Sequence, residues 1–192
     1  MPEKREQFRK KDYFSALYAV ARAINASLDP RQVLEEITRC VVETMGVKAC
    51  SVRLLTERGD KLDLAASLGL SEDYLRKGPV LLEESGIDRE VLQGRKVWIR
   101  DVRKDTGFQY PGKASEEGIL SVLSLPLTAE GKAVGVLRAY TGEVHEFPDD
   151  EIRFLEAVAD LGAIAIDHAR LHEALKLRID LMARHRDRID DN

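Results

Sequence analysis

Cysteine is scarce in this 192-residue chain, and its two copies, Cys40 and Cys50, stand in no CxxC or other metal-type spacing. That excludes a disulfide framework and leaves two buried, reduced thiols as the expectation. Histidine is missing from everything before residue 145: His145, His168, His172 and His185 all follow the last predicted strand. His168 and His172 share a helix face, but no acidic HExxH context accompanies them, so solvated or interface histidines are expected and no metal site. No apolar run exceeds about half a dozen residues, against about 20 for a bilayer span, and the charged opening lacks the apolar region of a signal peptide. The expected location is cytoplasmic, with no membrane partner. Beyond the short mixed opening "EKREQFRKKD" there is no block of like charge, and a net charge of -4 gives no footprint for nucleic acid.

What is present is a 44% hydrophobic composition, enough to bury one core of ordinary domain size. Phe14, Leu17, Ala21, Ile24 and Leu28 recur at three- and four-residue intervals and predict an amphipathic helix over about 8–27. Asp29 as N-cap and Pro30 in the first turn open a second helix, whose stripe of Val33, Leu34, Ile37, Val41 and Met45 runs to Gly46. The period then changes to two, with "ACSVRLLT" and "KLDLAASLGL" flanking an "ERGD" turn. "SEDYLRKG", capped by Ser71, and "GIDREVLQG" predict short helices, and "KVWIRDV" a strand. Residues 103–117 read as a loop with one helical turn, a lid candidate. A last hairpin surrounds "TAEGK", with Pro126 expected at a bulge or strand end. After the acidic cap "FPDDE", a helix from about 149 to about 188 would be roughly 60 Å long, more than a domain of this size can cover.

This order of elements, with the words "ACSVRLL", "AASLGLSEDYLRKGPV", "VWIRDV", "EEGILSVLSLPL", "GKAVGVLRAYT" and "FPDDEIRFLEAVADLGAIAIDHARL", resembles the GAF domain family from about Leu17 to about Leu171. The resemblance implies an α+β, profilin-like fold: an antiparallel sheet of five or six strands, N- and C-terminal helices on one face, and a ligand pocket with its lid on the other. It divides the chain into an N-terminal helix (1–28), a GAF-like domain (29–172) and a projecting helix or coiled-coil linker (173–192). Members typically sense small molecules, tetrapyrroles or cyclic nucleotides and signal through the exit helix.

Strand alternation fits that layering. Gly135, Leu137 and Ala139 share one face of the last strand, and Val136, Arg138 and Tyr140 the other. Cys50, Val52 and Leu54 oppose Ser51 and Arg53 on the first strand. The expected pocket wall is therefore Ser51, Arg53, Val122, Ser124, Val136, Arg138 and Tyr140, completed by Trp98, Asp101 and Tyr110. A guanidinium in a partly buried cavity must find acceptors, so the expected ligand is an anionic small molecule. The alternative stays open that both arginines lie on a solvated face or are paired with Asp63, Asp101 or Glu143.

The resemblance also sets out what is missing. The lid holds neither the cysteine of bilin-binding members nor a histidine for haem. Phe147, Asp150 and Glu151 echo only half of the cyclic-nucleotide signature. A free methionine sulfoxide reductase needs a nucleophilic cysteine in the pocket wall, whereas Cys40 and Cys50 fall on a helix stripe and a helix-facing strand position. No cofactor and no enzymatic activity are expected. The expected function is a small-molecule sensor, with a ligand-free dimerisation module as the alternative. Leu171, Leu175, Ile179 and Met182 continue an apolar seam past the domain, which with Leu17 and Ile24 predicts a homodimer through the terminal helices. An output protein or domain is a further expected partner.

Overall fold

A computed structural model of the chain describes the backbone of residues 2–27, 29–105 and 107–190, and side-chain surroundings from Tyr13 to Met182 apart from Leu28, Thr106 and Asp180. Leu28 of the predicted first stripe and the side chain of His185 thus lie outside the described residues. The elements are α1 (Pro2–Ala26), α2 (Pro30–Met45), β1 (Ala49–Leu55), β2 (Lys61–Leu68), α3 (Glu72–Leu75), β3 (Val80–Leu81), α4 (Gly86–Leu92), β4 (Val97–Ile99), α5 (Pro111–Glu116), β5 (Ser121–Ala129), β6 (Lys132–Thr141) and α6 (Asp149–Asp190).

Local chemistry accounts for most boundaries. The Asp29 side chain accepts from the Arg31 N–H, Pro30 occupies the first turn, and Gly46 closes α2 in the left-handed region at φ 67°. Ser71 and Ser85 cap α3 and α4 by accepting the N–H groups of Tyr74 and Asp88. The β5–β6 hairpin turns at Glu130 and Gly131, both with positive φ, the sign a two-residue turn of matching twist requires.

The six strands form one antiparallel sheet in the order β3-β2-β1-β6-β5-β4. Pro126 is opposite Val136 on β6, beside the register shift at Leu127/Thr128 and past the end of β4, so no neighbour needs its absent N–H. Gly135 keeps β1 and β6 close: a Cβ there would stand 2.4 Å from the Arg53 carbonyl. β3, the two-residue edge strand, was not foreseen; only Lys61↔Leu81 and Leu62↔Val80 join it to β2.

Apolar clusters lie on both sides of the sheet. Under the helices, Val33, Leu34, Ile37 and Val41 of α2 and Phe154, Leu155, Val158 and Ile166 of α6 pack against Cys50, Val52, Leu123, Leu125, Leu137 and Ala139. On the opposite face, Tyr74, Ile87, Phe108, Ala114, Ile119, Val122 and Tyr140 form a second cluster beneath α3, α4 and α5. Every strand of the centre serves both by alternation. The exit helix α6 has 42 residues, about 63 Å at 1.5 Å per residue, and its side chains are exposed from Leu171 to Ile179. Among the described residues no helix is long and apolar enough to cross a membrane.

Candidate functional site

The sheet face opposite α2 and α6 is polar at its centre and closed at its rim. On β1 and β6, Ser51 is opposite Arg138, and the Ser51 and Tyr140 hydroxyls share a buried hydrogen bond of 2.9 Å. Arg138 donates from Nε to Ser124 Oγ on β5 at 2.9 Å and from Nη2 to Asp88 Oδ1 on α4 at 2.5 Å. Asp88 is in turn held by the Ser85 hydroxyl at 2.6 Å. Its carboxylate is thus fixed by the cap that starts α4. Burial works against the Arg138 charge, but the Asp88 carboxylate, aided by Tyr140 and Tyr74, outweighs it and leaves the guanidinium above its ordinary pKa.

Arg53 is as deeply buried as Arg138 and far less well served. Its Nη1 donates to the Leu62 carbonyl at 3.4 Å, its Nε has no hydrogen-bond partner, and no carboxylate pairs with it among the described residues. The Tyr74 hydroxyl is likewise buried without a partner, its ring edge-on to Tyr140 at 6.4 Å. Burial pushes the Tyr74 phenol well above its ordinary range, so the hydroxyl stays neutral. Leaving such donors unmet inside a protein costs about 1–3 kcal/mol each, more for a charged group.

Over these groups sits Lys77, in the turn after α3. Its Nζ lies 3.5 Å from the centre of the Tyr74 ring and 5.0 Å from that of Tyr110. Burial first, then the Arg138 and Arg53 guanidiniums, pull its ammonium down to about 6 against the opposing influence of Asp88 and Glu117. Glu117 is engaged at the rim, accepting from the Ser71 N–H at 2.9 Å and from the Ser71 hydroxyl. The lid adds Phe108, 5.8 Å from Arg138, and Tyr110, whose hydroxyl donates to the Pro79 carbonyl at 3.3 Å and accepts from Gln109. Two guanidiniums and one amine are therefore grouped with a single built-in carboxylate, Asp88, an arrangement suited to an anion.

Eight of the ten residues read from the sequence as a pocket wall are on this side of the sheet: Ser51, Arg53, Val122, Ser124, Val136, Arg138, Tyr140 and, from the lid, Tyr110. Trp98 and Asp101 are not. Trp98 is opposite Leu123, which faces the helices, and is 44% exposed at the sheet edge. Asp101 is clasped by Arg103 Nε and Nη2, both at 2.8 Å, which holds its carboxyl at about 2. Both line a separate surface groove of about 550 Å³ with Arg100 and Lys104. Neither Asp101 nor Asp63, paired with Lys61 at 3.2 Å, reaches the arginines. The partner is Asp88, which sequence reading passed over along with Lys77 and Tyr74. The Ser85-x-x-Asp88 spacing was a visible cap signal, but nothing local announced that the cap would be buried against β6.

Cys40 and Cys50 are buried in the helix-side core, and burial raises the Cys40 thiol to about 11 and Cys50 further still. Among the described residues no group of three or more His, Cys, Asp or Glu side chains is placed to hold a metal ion. His145 is bonded to Glu151 at 2.8 Å, and His168 and His172 are exposed on α6. Of the predicted interface residues, Ile24 is buried in its own core and Leu17 packs against it, which removes Ile24 from any shared surface; Leu171, Leu175, Ile179 and Met182 are exposed.

A family model of the GAF domain matches residues 27–167. The formate hydrogenlyase transcriptional activator of Salmonella typhimurium is 22% identical over 172 residues, covering 87% of this chain and 25% of the activator, so the chain spans about a quarter of the length of that relative. The GAF domain of an Acinetobacter phosphoenolpyruvate-protein phosphotransferase superposes with a TM-score of 0.71 at 26% identity, over 82% of this chain and 94% of that domain. The free methionine-R-sulfoxide reductase of Neisseria meningitidis, solved with its substrate, gives 0.70 at 18% identity, over 83% and 91%.

Proposed function

The chain belongs to the GAF domain family, and from that premise we propose that it is a sensory module that binds an anionic small molecule, non-covalently, against Arg53 and Arg138 and reports occupancy through α6. GAF domains are sensory and regulatory units of signalling proteins, among them sensor kinases, chemotaxis proteins and transcriptional activators. The observation that carries the ligand class is Arg53: a buried guanidinium with an unmet Nε, beside an arginine whose charge Asp88 already balances. A carboxylate or phosphate would supply the missing acceptors in the fork geometry a guanidinium prefers.

In this reading the module binds without catalysing. The thiol chemistry of a methionine sulfoxide reductase needs a cysteine at the site, and both cysteines lie on the far side of the sheet. The projecting α6, with Leu171 at 61% exposed, supports pairing of two copies through the terminal helices and onward coupling to an output protein or domain. A cytoplasmic setting and the absence of a cofactor belong to the same proposal.

The test is ligand-dependent stabilisation. Arg53→Met keeps bulk and breaks no ion pair, whereas Arg138→Met would strand Asp88, so Arg53 is the better probe. A panel of carboxylates and phosphates should raise the Tm of the native protein and shift the variant less. Equal shifts in both, or none in either, would refute the anion site. Mass spectrometry of small molecules carried through purification would identify the natural occupant.

A further inference from the structure

We propose that Lys77 is the third anchor of the anion site and that it engages the ligand only by taking up a proton, so that anion binding is coupled to protonation of its amine. The inference rests on the anion-site reading above and adds to it a residue and a regulation.

The geometry places one amine among like charges. Lys77 Nζ is stacked on Tyr74 and near Tyr110, between the α3 turn and the lid, and the Tyr74 ring is edge-on to Tyr140, which shares with Arg138 one face of β6; both the Arg138 and the Arg53 guanidinium act on its charge. The titratable and charged groups around it are those two guanidiniums, Asp88 from α4, Glu117 at the rim, and the phenols of Tyr74, Tyr110 and Tyr140. Asp88 is already committed to Arg138, and Glu117 to the Ser71 cap. Without a ligand, a proton on Lys77 therefore adds a third positive charge opposite one central carboxylate, in a place where burial also penalises charge. An anion seated on the guanidiniums reverses the sign of the local field, and the amine then gains by accepting a proton from solvent. By linkage, whatever favours the protonated amine favours the anion, and the converse.

The charge count also names the ligand class. With Lys77 neutral, the two arginines and Asp88 leave one positive charge; with Lys77 protonated they leave two. The protonated site matches a dianion such as a dicarboxylate or a phosphate monoester, and the neutral site a monoanion.

The coupling has a definite sign. Below about pH 6 the amine is protonated with or without ligand, and it contributes no pH dependence. Above that value, up to the raised value in the complex, binding takes up a proton, and affinity falls as pH rises, by at most about tenfold per pH unit. The probe is sulfate, which keeps its dianionic charge throughout. Its affinity should be measured from pH 5.5 to 8.5 by calorimetry, in two buffers of different ionisation heat, for the native protein, Lys77→Arg and Lys77→Met. The native protein should weaken with pH and show proton uptake near pH 7. Lys77→Arg, charged throughout, should bind with little pH dependence, and Lys77→Met weakly with none. A native slope matched by Lys77→Met overturns the role of Lys77 and leaves the anion site standing. Sulfate binding to no variant at any pH overturns both. A direct titration by NMR of the Lys77 side chain in the unliganded protein is the second arm: titration near the ordinary 10.5 overturns the coupling even where sulfate binds.

Discussion

Arg138 reaches from the centre of the sheet to Asp88 on α4, closing Nη2 on Oδ1 at 2.5 Å with side chains only 5% and 2% exposed. A charge pair taken this far from water is costly to break and cheap to replace. Removal of one partner strands the other, at about 3–5 kcal/mol, whereas removal of both is often neutral. Asp88→Asn should therefore lower the urea midpoint steeply, and the double variant Asp88→Leu/Arg138→Met should recover most of the loss. A loss in Asp88→Asn below about 1 kcal/mol, the scale of an exposed ion pair, would mean that the pair is solvated in solution.

The pH dependence of stability carries a second signature of Lys77, independent of any ligand. Its amine is held at about 6 in the folded protein against an ordinary 10.5. Between these values the unfolded chain binds the proton and the folded one does not, so this residue makes stability rise with pH across that window. Relative to Lys77→Met, the native protein should be at its greatest disadvantage near pH 6 and recover toward pH 10. Thermal unfolding of both proteins over that range measures it; a constant difference would contradict the assigned environment.

Both thiols should be inert in the native state. Burial holds Cys40 at about 11 and Cys50 higher, and the thiolate is the reactive form. A disulfide-exchange reagent at pH 8 should report no fast-reacting thiol in the native protein and two after denaturation. One rapid equivalent in the native state would reopen thiol chemistry.

The seam on α6 should govern association. Sedimentation of the full chain should give a dimer, and a chain stopped after Arg170, or Leu175→Glu, a monomer. Ile24→Ala should instead cost stability, about 2–5 kcal/mol, because that side chain is buried in its own domain. A monomer for the full chain would remove the seam as an interface.

Legibility of the sequence followed the range of the physics involved. Helix α2 was readable to the residue because Asp29, Pro30 and Gly46 act within one turn of their own positions. The two faces of β1 and β6 were readable because alternation is a local property, which is why Arg53, Arg138, Ser51 and Tyr140 were found together. Trp98 was misassigned for the same reason: a three-residue strand leaves its facing to register, and Trp98 is paired with Leu123. Asp88 and Lys77 were missed because their meaning depends on the packing of α4 and the α3 turn over the sheet; Asp88 meets Arg138 across 50 residues of sequence, a contact invisible to any periodicity. β3 is too short to have a pattern at all.

The long last helix has one mechanical consequence. It rests on the sheet through Gly162, where an added Cβ would come within 3.1 Å of Leu127 and 3.2 Å of Ile37, so the rod lies close against β5 and α2 with little room to slide. Beyond Ile166, the last buried side chain among the described residues, it continues for about 36 Å to the end of its described length. Pivoting is the motion such a mounting permits, and a tilt of roughly 5° at the sheet would swing the far end by about 3 Å. β5 is the natural fulcrum, since alternate residues of this one strand present the Ser124 hydroxyl to the Arg138 guanidinium on one side and Leu125 and Leu127 to the helix-side core on the other.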